Sequence, residues 1–178
     1  MNELLMKEVI KLRKKLISFE PVLPEKPKVL ILGSMPSKIS LEKQQYYANP
    51  RNHFWPILFE LFKQKPFTSY DDKIQFVKDN GIALWDTIGS CYREGSLDKN
   101  IIEEQPNDIK KLLTKHPTIK LIACNGTKSF QTFKKNIHLH PEMNIDIIKL
   151  PSSSPIPGRY TKSFTEKVQA WEQILEYL

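Results

Sequence analysis

Glycine is scarce in this 178-residue chain: there are six, and none of them builds a GxxxxGK[ST] or GxGxxG stretch. Without such a turn the backbone N–H cradle for a nucleotide phosphate is missing, which disfavours nucleotide hydrolysis and dinucleotide binding. Cysteine is scarcer still. Cys91 and Cys124 stand alone with no CxxC spacing, so neither a zinc knuckle nor a disulfide framework is indicated, and a reducing cytoplasm is the expected compartment. Histidine supplies no ligand cluster. His138 and His140 lie two apart beside Pro141 and read as a surface pair, while His53 has no visible orienting partner for general-base work. No apolar run approaches a membrane span and no signal-peptide order opens the chain, so no membrane partner is expected.

Basic residues outnumber acidic ones, 27 to 20, for a net charge of +7, and that balance favours an anionic partner such as nucleic acid. A hydrophobic content of 40% is ample for a packed core, and the length suits one domain. Leu5, Val9, Leu12 and Leu16 recur at helical spacing, with Lys7, Lys11, Arg13, Lys14 and Lys15 mostly off that stripe. The pattern predicts a basic amphipathic helix over residues 1–18, an extension ahead of a single domain over 19–178. Either it packs Leu5, Val9 and Leu12 on the domain with its lysines solvated, or it is an arm for phosphates or a membrane surface.

The chain is organised around VLILGSMPSKISLEKQQYYANPRNHFW, from Val29 to Trp55. Val29 to Leu32 is a continuous apolar run, as a central parallel strand covered on both faces requires. Gly33 ends it, and the loop from Ser34 to Pro50 carries more hydroxyls, amides and aromatics than packing needs. Further strands are predicted over 82–85, 119–124 and 145–150. Helices are predicted over 54–62, 71–78, 108–115 and 128–134, with a last one from Phe164. Asp86 to Asp98 reads as a second hydroxyl-rich loop. The repeated strand, loop, helix order predicts a three-layer α/β/α fold with a mainly parallel four-stranded sheet. Ligands of such sheets bind beyond the carboxyl ends of the strands, here at Gly33, Asp86, Asn125 and Pro151.

Four pieces of the chain resemble the uracil-DNA glycosylase superfamily, and within it the hypoxanthine-DNA (deoxyinosine) glycosylase branch. They are LILGSMPSKISLEKQQYYANPRNHFW, GIALWDTIGSCYREGSLD, CNGTKSF, and LPSSSPIPGRY ahead of the helix with Trp171. The resemblance runs from Phe19 onward. It implies the same α/β/α fold, hydrolysis of the N-glycosidic bond of a deaminated base in double-stranded DNA, most of all hypoxanthine, and action as a monomer without metal or cofactor. Four-cysteine relatives hold an iron–sulfur cluster, which two cysteines cannot.

Residue roles follow from the resemblance. Most relatives carry Asp or Asn where Met35 stands in Gly33-Ser34-Met35-Pro36-Ser37; the deoxyinosine branch supplies an amide later, at the position of Asn52, with a second polar residue at Asn125. Both are expected to be catalytic. Met35, Tyr47, Phe54 and Asp86 are expected to bind the flipped base, the aromatics by their faces and Asp86 by accepting the N1 hydrogen that distinguishes hypoxanthine from adenine. Ser37, Arg51, Ser152, Ser153, Ser154, Pro155 and Arg159 are expected to contact DNA, with Ile156, Pro157 and Arg159 as a wedge. Leu150 stands where many relatives have a histidine that helps the base depart, which lowers the expectation of uracil excision. Plainer roles stay open. Asn52 can cap the helix at Phe54, Asp86 can cap a turn, Asn125 can hold a left-handed turn before Gly126, and the serines can form an ordinary turn. The competing functional readings are a catalytically impaired DNA-binding module on the same fold, and a glycosylase that prefers uracil or mismatches.

Overall fold

The computed structural model describes residues 3–11 and 13–178. In chain order, α1 (Glu3–Lys11) and a short strand β1 (Leu16–Ile17) precede β2 (Val29–Gly33), α2 (Lys38–Lys43), α3 (Phe54–Leu61) and α4 (Tyr70–Asp79). Next come β3 (Ile82–Asp86), β4 (Ile88–Tyr92), β5 (Ile102–Pro106), α5 (Ile109–Lys115) and β6 (Leu121–Asn125). The chain ends with α6 (Thr127–Asn136), β7 (Asp146–Leu150), α7 (Phe164–Trp171) and a 3-10 segment, Glu172–Tyr177.

Strands β3, β2, β6 and β7 form one parallel sheet in that order. All five residues of β2 are buried because both faces of the strand are covered. Val29 and Ile31 face a core built with Phe54, Leu58 and Trp171 from α3 and α7, while Leu30 and Leu32 face one built with Ile109, Leu113 and Phe133 from α5 and α6. That two-sided burial is why the run is continuously apolar rather than alternating. The architecture is the three-layer α/β/α fold that the strand and helix pattern predicts. Register aligns Gly33 with Asp86, Leu32 with Cys124 and Asn125 with Leu150, so the four carboxyl ends open on one side.

A second sheet departs from the sequence reading. β4 pairs antiparallel with both β1 and β5, so part of the loop expected over 86–98 is a strand. Register shifts between Ile88 and Ser90 and between Ser90 and Tyr92 break the two-residue alternation that would have betrayed it. The amphipathic helix expected over 1–18 stops at Lys11, because Leu16 pairs with Cys91 and packs against Met35 and Ile88. Leu5 is 54% exposed and Val9 36%, so they do not pack into the domain as expected. Leu12 and the side chains of Lys7 and Lys11 lie outside the described residues. Within the key loop, Ser37 caps α2 by accepting the Ser40 N–H, a helix the sequence reading passed over. In the 3-10 segment that follows α7, Ile174 is buried and Leu175 is exposed.

Candidate active site

The carboxyl ends of β2, β3 and β6, with the loops after β2 and β7, enclose a cavity of about 390 Å³. Asp86 forms its floor. The register places it beside Gly33, and its Oδ1 lies 2.5 Å from where a Cβ on residue 33 would stand, so only glycine admits the carboxylate there. Oδ2 is sealed from solvent and has no hydrogen-bond partner among the described residues. Burial pushes the carboxyl up to about 7, partly opposed by the Arg93 guanidinium. Asn107 Nδ2 donates to the Asp86 backbone carbonyl at 2.8 Å, and the Thr87 N–H donates to the Gly33 carbonyl at 2.9 Å, fixing the carboxylate from behind. Asp86 caps no turn.

Tyr47 forms one wall. Its backbone is left-handed at φ 53°, a conformation that a tyrosine adopts only when its surroundings hold it. The ring is stacked on Phe54 at 3.7 Å between centroids and 12° between planes. Phe54 is fully buried behind it and does not reach the cavity, so of the two expected aromatic faces only Tyr47's is presented to a base. Met35 lines the cavity while packing against Ile88 and Cys91.

Asn52 lines the cavity, and its Oδ1 accepts the Phe54 N–H at 2.9 Å, at the start of α3. Asn52 thus satisfies the first N–H of α3 from one residue ahead of the N-cap, which is His53 and makes no side-chain cap of its own. That bond does not exhaust the amide: a carbonyl oxygen has two lone pairs, and Nδ2 has no partner among the described residues. Asn125 is more heavily engaged, with both of its N–H donors and one Oδ1 lone pair in use. Its Oδ1 accepts the Ser153 N–H at 2.9 Å, and its Nδ2 donates to Ser153 Oγ at 2.9 Å and approaches the Tyr47 hydroxyl at 3.4 Å.

The loop after β7 closes the cavity. Ser153 is buried, its N–H donates to Asn125 Oδ1 and its Oγ accepts from Asn125 Nδ2, so it brackets the loop to the end of β6. Ser152 Oγ accepts the Ser154 N–H and Ser154 Oγ accepts the Ile156 N–H, which leaves both hydroxyl hydrogens free to donate. Ser37 and Pro155 line the same cavity. Arg51 and Arg159 are exposed and outside it, Arg159 lying 5.5 Å from the Tyr160 ring. Among the described residues, no three His, Cys, Asp or Glu side chains are grouped to hold a metal ion.

Compared with known families, the profile of the uracil DNA glycosylase superfamily matches residues 20–175. The chain belongs to that superfamily. A hypoxanthine DNA glycosylase of Methanosarcina acetivorans is 36% identical over 160 residues, covering 89% of this chain and 97% of the relative. A second hypoxanthine DNA glycosylase, from Methanosarcina barkeri, is 38% identical over 112 residues, 62% of this chain and 71% of its own. The solution NMR structure of a Methanosarcina acetivorans protein described as a uracil DNA glycosylase superposes with a TM-score of 0.75 at 34% identity. It covers 91% of this chain and 99% of that one.

This member of the uracil DNA glycosylase superfamily also carries site residues that the sequence reading missed. Ser34 donates to Asp98 at 2.8 Å on the cavity rim. Arg93, which the sequence offers beside Arg51 and Arg159 as a phosphate-neutralising side chain, is instead buried, donating to the carbonyls of Pro36 and Gly95, so it braces the loop. Lys167 on α7 is 2% exposed, with Nζ 3.3 Å from His53 Nδ1 and 3.4 Å from the Ser154 carbonyl. A signal for it existed: Lys167 falls three residues after Phe164 and four before Trp171, on the apolar stripe of the last helix. An ammonium only donates, so His53 Nδ1 accepts and the neutral ring carries its proton on Nε2. Burial and the neighbouring Lys167 charge both lower the His53 pKa.

Proposed function

We propose that the protein is a monomeric, monofunctional DNA glycosylase that hydrolyses the N-glycosidic bond of hypoxanthine flipped out of double-stranded DNA. The observation that carries this reading is Asp86, a buried carboxyl at the end of β3 that lines a cavity walled by Tyr47. Ionised, it accepts the N1–H of hypoxanthine and meets a lone pair on the N1 of adenine, so the repaired base is held and the normal one repelled. Tyr47 stacks on the base with Phe54 supporting it from behind.

The C1′–N9 bond breaks with its electron pair leaving on the base, and the sugar becomes an oxocarbenium ion. Water adds to C1′, and the proton it releases neutralises the departed base anion, giving an abasic site and free hypoxanthine. Asn52 orients that water through the Oδ1 lone pair not engaged by Phe54. Orientation suffices because bond breaking precedes attack. Asn125 acts one step back, holding Ser153 and Tyr47 with both of its N–H donors and one Oδ1 lone pair. The hydroxyls of Ser152 and Ser154 hold the phosphates that flank the flipped nucleotide.

A labelled duplex with a single deoxyinosine, incubated with enzyme and then alkali, should show scission at the lesion. Parallel duplexes with uracil, xanthine or only normal bases should be cut less or not at all. Met35 and Leu150 are apolar and buried, which favours a second reading of binding without chemistry. That reading predicts retention of the deoxyinosine duplex with no alkali-sensitive site.

A further inference from the structure

We infer that Lys167 is the buried charge of a second anion site, which takes a backbone phosphodiester on the far side of the 151–158 loop from the base cavity. The inference rests on DNA as the substrate. Lys167 is buried, yet no carboxylate among the described residues lies within ion-pair distance of its ammonium; its partners are a neutral imidazole and a carbonyl. Lys128, which is far less buried, is paired with Glu104. Buried charges are ordinarily paired, so an unmatched ammonium implies a counter-charge that arrives with a ligand. Nζ has three donors and two are engaged, leaving one N–H for an incoming oxygen.

The surroundings say what that ligand is. Lys167 opens onto a cleft of about 880 Å³ that Lys149, Arg159 and Lys162 also line. One carboxylate borders it, Glu166, whose Oε2 accepts the Ser163 N–H at 2.7 Å and whose Oε1 lies 3.8 Å from Lys162. Four cations against one engaged carboxylate suit a polyanion. Ser152, Ser154, Ile156 and Gly158 line both this cleft and the base cavity, so the two spaces share a single wall. A nucleotide whose base fills the cavity therefore has a neighbouring phosphate within reach of the cleft, with the serine hydroxyls between them. The bond from Lys167 to the Ser154 carbonyl then joins phosphate binding to the loop that closes on the base.

The test uses a duplex with one 2′-fluoro deoxyinosine, which binds without being cleaved. A neutral methylphosphonate replaces each phosphate near the lesion in turn. The wild-type protein should lose about tenfold in affinity at one or two linkages beside the lesion, as loss of a charge-assisted hydrogen bond predicts. Lys167→Met should bind the unmodified duplex about that much more weakly, show no further loss at the same linkage, and flatten the log–log salt slope by about 1. Lys167→Arg should restore the slope. A uniform scan with the wild-type protein overturns the inference, whether or not the Met variant folds. So does a Lys167→Met protein that melts lower but keeps the wild-type slope, because a purely structural lysine would do that. Wild-type protein that binds no duplex at all would overturn the glycosylase reading as well, whereas the other two failures leave it standing.

Discussion

Asn52 and Asp86 each make two demands on one side chain, and the demands separate by substitution. Asn52→Ala removes both the cap and the water-orienting oxygen, so it should cost about 1 kcal/mol in stability and at least about 10²-fold in the single-turnover rate. Asn52→Ser can still cap α3 but has less reach. Its melting temperature should stay near the parent's while the rate remains low, and a fully active Asn52→Ser would remove Asn52 from the mechanism. Asp86 carries a pH signature. Its carboxyl is pushed up to about 7 in the fold, against an ordinary value near 4, so between those pH values the folded state keeps a proton that the unfolded chain has released. Stability from this group therefore falls as pH rises from about 4 to about 7 and is lowest above that. Asp86→Asn should melt above the parent at pH 8, and the gap should shrink as the pH is lowered towards 4. Excision of hypoxanthine should rise through about pH 7 in the parent, as the acceptor ionises, and the Asn variant should lose that rise.

Between the residues and the fold stands the loop after β7, a short element with little apolar anchorage of its own. Its links to the rest of the fold include Asn125 to Ser153, the Ser153 carbonyl accepting the His53 N–H at 2.9 Å, the Trp171 indole donating to the Pro151 carbonyl at 3.0 Å, and Lys167 donating to the Ser154 carbonyl at 3.4 Å. Gly126 makes the first link possible. At φ 95° it brings β6 close enough to the loop that a Cβ there would stand 3.1 Å from that of Ser152. Asn125→Ala leaves the buried Ser153 N–H and hydroxyl without partners, at a cost of about 1–3 kcal/mol. For a chain of this length that is a fall in Tm of roughly 3–10 °C. DNA affinity should drop with it, while Asn125→Asp, which still accepts the Ser153 N–H, should recover part of both. An Asn125→Ala protein with parental Tm would show that the loop does not depend on this bracket.

At the scale of the whole molecule the question is how a net charge of +7 is distributed. Arg93 is buried and bound to carbonyls, so it cannot meet DNA. Arg51 stands exposed beside Asn52, and Lys149, Arg159 and Lys162 gather on the side where the strands end. With Lys167 they account for roughly four or five phosphate contacts, which predicts a log–log salt slope of about −4. Filter binding between low and moderate salt measures it directly, and a nearly flat line would argue against DNA as the partner.

The amino-acid sequence alone determined the layers of this protein. A fully apolar β2, Gly33 and Asn80-Gly81 as stops, and helical spacing in α3 and α7 are local signals, and local signals survive in one dimension. The same holds for Asp86, because a strand end in a parallel sheet is also the end of an apolar run, whereas Asn52, ahead of α3, was legible only through the resemblance of its loop to the glycosylase family. Tertiary structure alone decided what those side chains do. β1 forms because Leu16 finds Cys91, Met35 and Ile88, contacts more than 15 residues away that outweigh its helical spacing. Phe54 retires behind Tyr47 because a left-handed tyrosine covers it, and Arg93 turns inward because Pro36 offers a carbonyl. Lys167 meets His53 across 114 positions. Which polar groups are engaged and which stay free for a ligand depends on such distant pairs, and no periodicity records them.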